Sequence, residues 1–135
     1  MIRGVIFDVD GVLLDSLEIW DNLGIRYVCS LSKKPIEGME DVLYPLSMED
    51  GATYLRKTFS IAKSNQEIIC DLEKMIEDFY FEEVKAKKGV KEVLAYLEQV
   101  GIPVVCATSC SRKLVERALH RNGLLSYISH IFWLY

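Results

Sequence analysis

The stretch VIFDVDGVLLDS, residues 5–16, ends an apolar run on two aspartates, Asp8 and Asp10, one residue apart. Ile2 to Phe7 reads as a strand that is apolar on both faces apart from Arg3 and Gly4, the pattern of a parallel strand covered by helices on both sides. In open parallel sheets ligands bind beyond the carboxyl ends of the strands, which is where both carboxylates fall. Two carboxylates so close repel each other unless a cation or a shared proton compensates. Gly11 beside them lets the backbone approach a ligand closely. Asp and Gly are also ordinary turn formers between a strand and a helix, so DVDG alone leaves both readings open.

Outward from this stretch, the chain repeats the strand pattern once. IPVVCA, residues 102–107, is a second buried run, and the segment before it, GVKEVLAYLEQVG (89–101), carries Val90, Val93, Leu94, Leu97 and Val100 at helical spacing with Gly101 as its stop. After it, a helix from Arg112 to about Asn122 shows an apolar face of Leu114, Val115, Ala118 and Leu119, with Ser111 as its N-cap and Asn122-Gly123 as its end. Residues 16–84 hold no convincing strand. Three helical stripes fill them: Leu17, Trp20, Leu23 and Tyr27; Met48 to Phe59, with Ser47 as N-cap and Asp50 in a weakened capping box; and Gln66 to Phe81. SLSKKPIEG (30–38) and YPLS (44–47) read as loops. The expected plan is α/β: a partial Rossmann-like parallel-sheet core, residues 1–15 and 88–135, with an all-helical cap domain, residues 16–87, inserted after the first strand.

Composition narrows the functional classes. At 135 residues, 50% hydrophobic and 27% charged, the chain can bury a core and is not of disordered type. A net charge of -4 argues against a nucleic-acid partner. Lys85, Lys87 and Lys88 stand beside Glu82 and Glu83 and read as a solvated helix end. No run reaches the ~18 apolar residues of a membrane span, and Asp8 and Asp10 interrupt the apolar start too early for a signal peptide, so a soluble, cytoplasmic protein is expected. Of the four cysteines, Cys29, Cys70 and Cys106 have apolar neighbours and read as buried thiols, whereas Cys110 lies in a polar loop and is a candidate reactive thiol.

DVDGVLLDS resembles the first motif of the haloacid dehalogenase superfamily, DxDGxLxDS, and here too it closes an apolar strand at the start of the chain. The helical insertion after it is similar to the small cap of the branch that includes phosphoglycolate phosphatase and β-phosphoglucomutase. VVCATSCS (104–111) resembles the second motif, an apolar strand ending in Thr or Ser, and KKGVKEVLAYLEQVGIPV (87–104) the helix and turn that lead into it. The resemblance implies a phosphomonoesterase acting on a small phosphorylated metabolite. Asp8 would be the nucleophile that forms an aspartyl phosphate. Asp10 would be the acid for the leaving oxygen and then the base for water. The Asp8 carboxylate and the Asp10 carbonyl would hold Mg²⁺. Thr108 would donate its hydroxyl to a phosphoryl oxygen, beside the backbone N–H of Ser109 and those after Asp8; a helix cap is the structural alternative for Thr108. Asp15 and Ser16 would orient and hinge, and Glu83 to Lys88 would form the return linker.

Two departures refine this expectation. β-Phosphoglucomutase places a histidine in the helix after the first motif and an arginine in the cap loop, where this sequence has Trp20 and, in PLSMEDGA (45–52), Met48. An arginine clamps a second phosphate bidentately and a methionine does not, so hydrolysis is expected over phosphotransfer. Trp20, Tyr44 and Tyr54 read as cap core residues before pocket residues, and His120 and His130 as structural. The family's third motif, a lysine, and its fourth, an acidic pair, follow the segment resembled by LLSYISHIF (124–132), whereas this sequence closes on IFWLY (131–135). A C-terminally truncated, catalytically inert remnant is therefore the alternative expectation. Lys113, in the first turn of its helix, reads as solvent-facing and not as a substitute lysine. With the first strand unpaired on one side, self-association through the exposed sheet edge is expected.

Overall fold

The computed structural model describes residues 1–133; Leu134 and Tyr135, the last two residues of the IFWLY segment, lie outside the described residues. The elements run β1 (Val5–Asp8), α1 (Leu17–Ser30), α2 (Met39–Leu43), α3 (Met48–Thr58), α4 (Asn65–Asp78), a π-helix (Phe79–Glu83), α5 (Val90–Gln99), β2 (Val104–Thr108), α6 (Arg112–Arg121), a 3₁₀ turn (Leu125–Tyr127) and β3 (His130–Trp133). They form two compact units: Met1–Leu17 with Phe79 onward, and Glu18–Asp78. Residues 79–87, read above as the end of the insertion, belong to the first unit.

The first unit is the parallel sheet with its helices. Its strand order is β1-β2-β3. Val5 lies opposite Val104 and Asp8 opposite Ala107, while Val105 lies opposite His130 and Thr108 opposite Trp133. All three strands therefore end on one side, carrying Asp8 and Thr108 there on adjacent strands. Val9, Leu13, Leu14, Val104, Val115 and Leu119 are among its buried residues. Both runs form strands, but neither is buried along both faces as expected: in β2 Val104, Cys106 and Thr108 are buried whereas Ala107 is exposed. Strand alternation puts Ile6 on the face away from Val5 and Phe7, and Ile6 is 70% exposed, so β1 is not covered on both faces by the described residues. The α5 stripe is likewise thinner than its spacing predicts: Leu94 is buried, whereas Val93 and Val100 are exposed. Ser111 takes the N-cap position of α6 without a side-chain hydrogen bond.

The second unit is all helical, around Tyr27, Val28, Met39, Leu55, Ile68 and Leu72. Ser47 caps α3 as its sequence predicts: its Oγ accepts the Asp50 N–H at 3.1 Å while its hydroxyl donates to Asp50 Oδ2 at 2.7 Å. The face of α1 differs from the expected stripe. Ile19, Gly24, Tyr27 and Val28 are buried, and Leu17 and Trp20 are exposed. Gly24 explains the rotation: a Cβ there would meet Leu43 Cδ1 at 2.3 Å, so the short helix α2, within a stretch read partly as loop, packs directly on the α1 backbone. Tyr27 donates its hydroxyl to Asp71 at 2.9 Å, and Lys63 pairs with the same carboxylate oxygen at 2.5 Å. No helix among the described residues is long and apolar enough to cross a membrane.

Candidate active site

The turn after β1 is built around one buried carbonyl. Val9 is fully buried, and its oxygen accepts the N–H groups of Val12, Leu13 and Leu14 at 3.2, 3.0 and 3.0 Å. Gly11 closes the turn at φ +74°, a conformation costly for a residue with a Cβ, and its N–H donates to Leu14 O at 2.9 Å. The turn leaves Asp8 exposed at the strand end, with Oδ1 accepting the Val9 N–H at 2.7 Å. Among the described residues Oδ2 of Asp8 has no hydrogen-bond partner. The Val9 and Gly11 amides, two of those expected to face a phosphate, are thus already engaged within the turn.

Asp10, half-buried, is held differently. Its Oδ1 accepts two hydroxyls, Ser16 Oγ at 2.6 Å and Tyr80 Oη at 2.5 Å, both from fully buried residues. Ser16, read as an orienting residue, contacts the carboxylate directly; Asp15 is exposed and uses its amide on Lys85 O at 2.8 Å. On the neighbouring strand, the buried Thr108 accepts the Cys110 N–H on Oγ1 at 3.0 Å. That bond occupies an acceptor position and leaves the hydroxyl proton to donate elsewhere. Ser109 is exposed in the loop that follows. The carboxyl ends of β1 and β2 thus bring together Asp8, Asp10, Thr108 and Ser109.

The thiols nearby register the aspartates' charge. Cys106 is pushed up to about 11, chiefly by burial and then by Asp8. Cys110 is also pushed up to about 11, by burial first and Asp10 second, with contacts to Tyr80 and the Ser111 backbone pulling the other way. Both shifts disfavour the thiolate, the reactive form, which weighs against Cys110 as the candidate reactive thiol named from its polar loop. The expectation for Cys29 and Cys70 is also overturned: both are exposed, each lying on the outer face of its helix despite apolar neighbours in sequence.

Tyr80 is the site residue that sequence reasoning missed. It lies 70 positions from Asp10, in a π-helical turn that continues α4, and its only outward sign was a polar-tipped ring within Phe79-Tyr80-Phe81. Lys113 is exposed, 5.3 Å above the Phe81 ring. In the helical unit, a cavity of about 500 Å³ is lined by Trp20 and Met48, together with Asp21, Glu40, Asp41 and Tyr44 among others. Trp20 is 43% exposed there, a cavity residue and not core. Glu40 has its carboxyl raised by burial, offset in part by the Ile25 N–H it accepts. His120 and His130 are both exposed, with His130 packed edge-on against Phe132.

A parallel sheet thus carries an aspartate pair and a threonine on the ends of adjacent strands, with a helical segment inserted in the chain after the first, and the class of protein this describes is a family of hydrolases. Residues 5–134 match the family model of haloacid dehalogenase-like hydrolases, and the chain belongs to that family. Hexitol phosphatase A of Escherichia coli (strain K12) is 31% identical over 125 residues, covering 88% of this chain and 53% of that protein. Among solved structures, a provisionally assigned β-phosphoglucomutase of Thermotoga maritima superposes with a TM-score of 0.84 at 23% identity, over 98% of this chain and 61% of its own. A haloacid dehalogenase-like protein of unknown function from Agrobacterium tumefaciens gives 0.70 at 24% identity, over 98% and 59%. The chain thus spans about half the length of the curated relative it matches.

Proposed function

We propose that the protein hydrolyses the phosphate monoester of a small metabolite through an aspartyl phosphate on Asp8. The observation that carries this reading is the pairing at one strand end of an exposed Asp8 carboxylate, with one oxygen unengaged among the described residues, and an Asp10 carboxylate fixed by two hydroxyls. An Asp8 oxygen attacks phosphorus, the bond from phosphorus to the leaving oxygen breaks, and Asp10 gives that oxygen its proton. Water then attacks the aspartyl phosphate and passes a proton to Asp10. Inorganic phosphate leaves and the Asp8 carboxylate is restored. Thr108 and Ser109 hold the phosphoryl oxygens throughout, and their fixed donors stabilise the charge that develops there.

Magnesium fits the donors in kind. The Asp8 carboxylate and the Asp10 carbonyl are hard oxygen ligands, and Mg²⁺ commonly binds through one or two carboxylates and keeps several waters. No group of three or more His, Cys, Asp or Glu side chains among the described residues could hold a metal, so among them only the Asp8 carboxylate and the Asp10 carbonyl are proposed as ligands. When bound, the ion offsets the repulsion among the two carboxylates and the phosphate.

For the substrate, the sequence carries Trp20 and Met48 where β-phosphoglucomutase has a histidine and an arginine, and a methionine does not clamp a second phosphate as an arginine does. A hexitol phosphatase as curated relative supports a leaving group of polyol type, and phosphotransfer of the mutase kind is the weaker reading. The proposal places the protein in the cytoplasm, assigns it no nucleic-acid partner, and includes self-association through the edge of β1. Phosphate release from 4-nitrophenyl phosphate, with and without Mg²⁺ and beside Asp8→Asn, tests the reading. Metal-dependent turnover lost in the variant supports it; turnover that survives Asp8→Asn sinks it.

A further inference from the structure

The contact between Tyr80 and Asp10 joins two distant parts of the chain at a single atom. Tyr80 is 0% exposed, and so is Ser16. Both hydroxyls reach the same oxygen, Oδ1 of Asp10, at 2.5 and 2.6 Å. An ionised carboxylate oxygen offers two lone pairs, so these two donors fill Oδ1, whereas Oδ2 receives no hydrogen bond from the described residues. Two donors of fixed origin also hold the side chain in one rotamer. One comes from the end of the aspartate motif itself, and the other from the π-helix Phe79–Glu83. Such wide turns recur at functional sites. Here the wide turn sets Phe79 and Tyr80 inward in succession, and the phenol of Tyr80 reaches Asp10 while its ring meets Phe79 edge-on, with centroids 5.7 Å apart.

We propose that Tyr80 is a positioning residue for Asp10: with Ser16 it locks the carboxylate so that Oδ2 alone gives and takes the proton in phosphate-ester hydrolysis. This rests on the reading of Asp10 as acid and base. The balance of each step follows the scheme above. The Oδ2 proton goes to the leaving oxygen as the phosphorus–oxygen bond breaks, and a proton from the attacking water returns to Oδ2. Neither hydroxyl touches the substrate, and neither loses its own proton. The arrangement matters most where the leaving oxygen is strongly basic, because a poor leaving group cannot depart without that proton.

Tyr80→Phe removes the hydroxyl and keeps the ring, so packing against Phe79 is retained. The first readout is independent of turnover: the Asp10 side-chain carboxyl ¹³C resonance and the χ1 angle of Asp10 from three-bond couplings, in the 135-residue chain and in Tyr80→Phe, with Phe81→Leu as a control in the same turn. The expected result is a displaced resonance and an averaged χ1 in Tyr80→Phe and in the Tyr80→Phe/Ser16→Ala double variant, with neither change in Phe81→Leu. An Asp10 resonance and rotamer unchanged by Tyr80→Phe would overturn the proposal. The second readout compares 4-nitrophenyl phosphate, whose phenolate departs unaided, with glycerol phosphate, whose alkoxide needs a proton to depart. Tyr80→Phe is expected to slow glycerol phosphate at least about tenfold more than the aryl ester, as loss of a well-placed acid does. Equal slowing of both esters counts against it. If the unmutated chain turns over neither ester, the result goes against the hydrolase reading, and the Asp10 resonance alone decides the role of Tyr80.

Discussion

Alkylation of the four cysteines in the native chain separates the two kinds of thiol that the fold creates. Cys106 and Cys110 are both pushed up to about 11 from an ordinary 9.0. Two pKa units mean about 100-fold less thiolate at neutral pH, and the thiolate is the reacting species. Treatment with iodoacetamide, followed by peptide mapping over time, is expected to label the exposed Cys29 and Cys70 early. Cys106 and Cys110 should lag by at least that 100-fold against the same positions in urea. Their rates should rise tenfold per pH unit until the pH nears 11. Asp10→Asn removes the second cause of the Cys110 shift, so it should quicken Cys110 by more than Cys106, whose charged neighbour is Asp8. Equal rates for Cys110 and Cys29 in the folded chain would refute the burial of Cys110, and a Cys110 rate unchanged by Asp10→Asn would refute its placement beside Asp10.

Gly11→Ala forces a Cβ onto φ +74° at a cost of about 1–2 kcal/mol; Leu17, whose Cγ the new atom would meet at 2.9 Å, is exposed and can move aside, so urea unfolding should show a loss within that range and no larger. In the helical unit, the Asp71 carboxyl is held below its ordinary value, chiefly by Lys63 and further by Tyr27, against some opposing burial. A depressed carboxyl contributes stability that is present above its unfolded pKa and lost as pH falls through the folded one. Thermal unfolding followed below about pH 4 should therefore show a decline that Asp71→Asn flattens. The effect should stay under about 1 kcal/mol because the pair is exposed to solvent.

What the sequence disclosed was whatever depends on local chemistry. Asp8 and Asp10 at a strand end, Ser47 with Asp50, and the stop at Asn122-Gly123 are each specified by residues within a few positions of one another. What it concealed depends on distant partners. The buried face of α1 was misjudged because Gly24, a gap in the apolar stripe, is where Leu43 packs, and nothing near Gly24 in sequence names Leu43. Cys29 and Cys70 have apolar neighbours along the chain, yet the helical period turns them outward. Tyr80 could not be joined to Asp10, since the π-turn that aims it leaves no periodic signal and its partner is 70 residues away.

The two ends of the helical unit's chain are fastened to each other within the sheet unit. Asp15 N–H donates to Lys85 O at 2.8 Å, Lys87 N–H donates to Leu13 O at 2.9 Å, and Leu14 and Ala86 form an antiparallel bridge between them. Arg121 and Asn122 of the α6 region fix Val84 O beside this clasp. For the sheet, everything between the clasped strands is a single loop whose mouth has a set width. Because closure entropy grows only with the logarithm of loop length, by about 0.6 kcal/mol for each doubling, such a mouth tolerates contents of very different size. Descent with modification can therefore exchange or enlarge the helical unit while Asp8, Asp10 and Thr108 keep their places, since the clasp, and not the inserted sequence, sets where the chain leaves and re-enters the site.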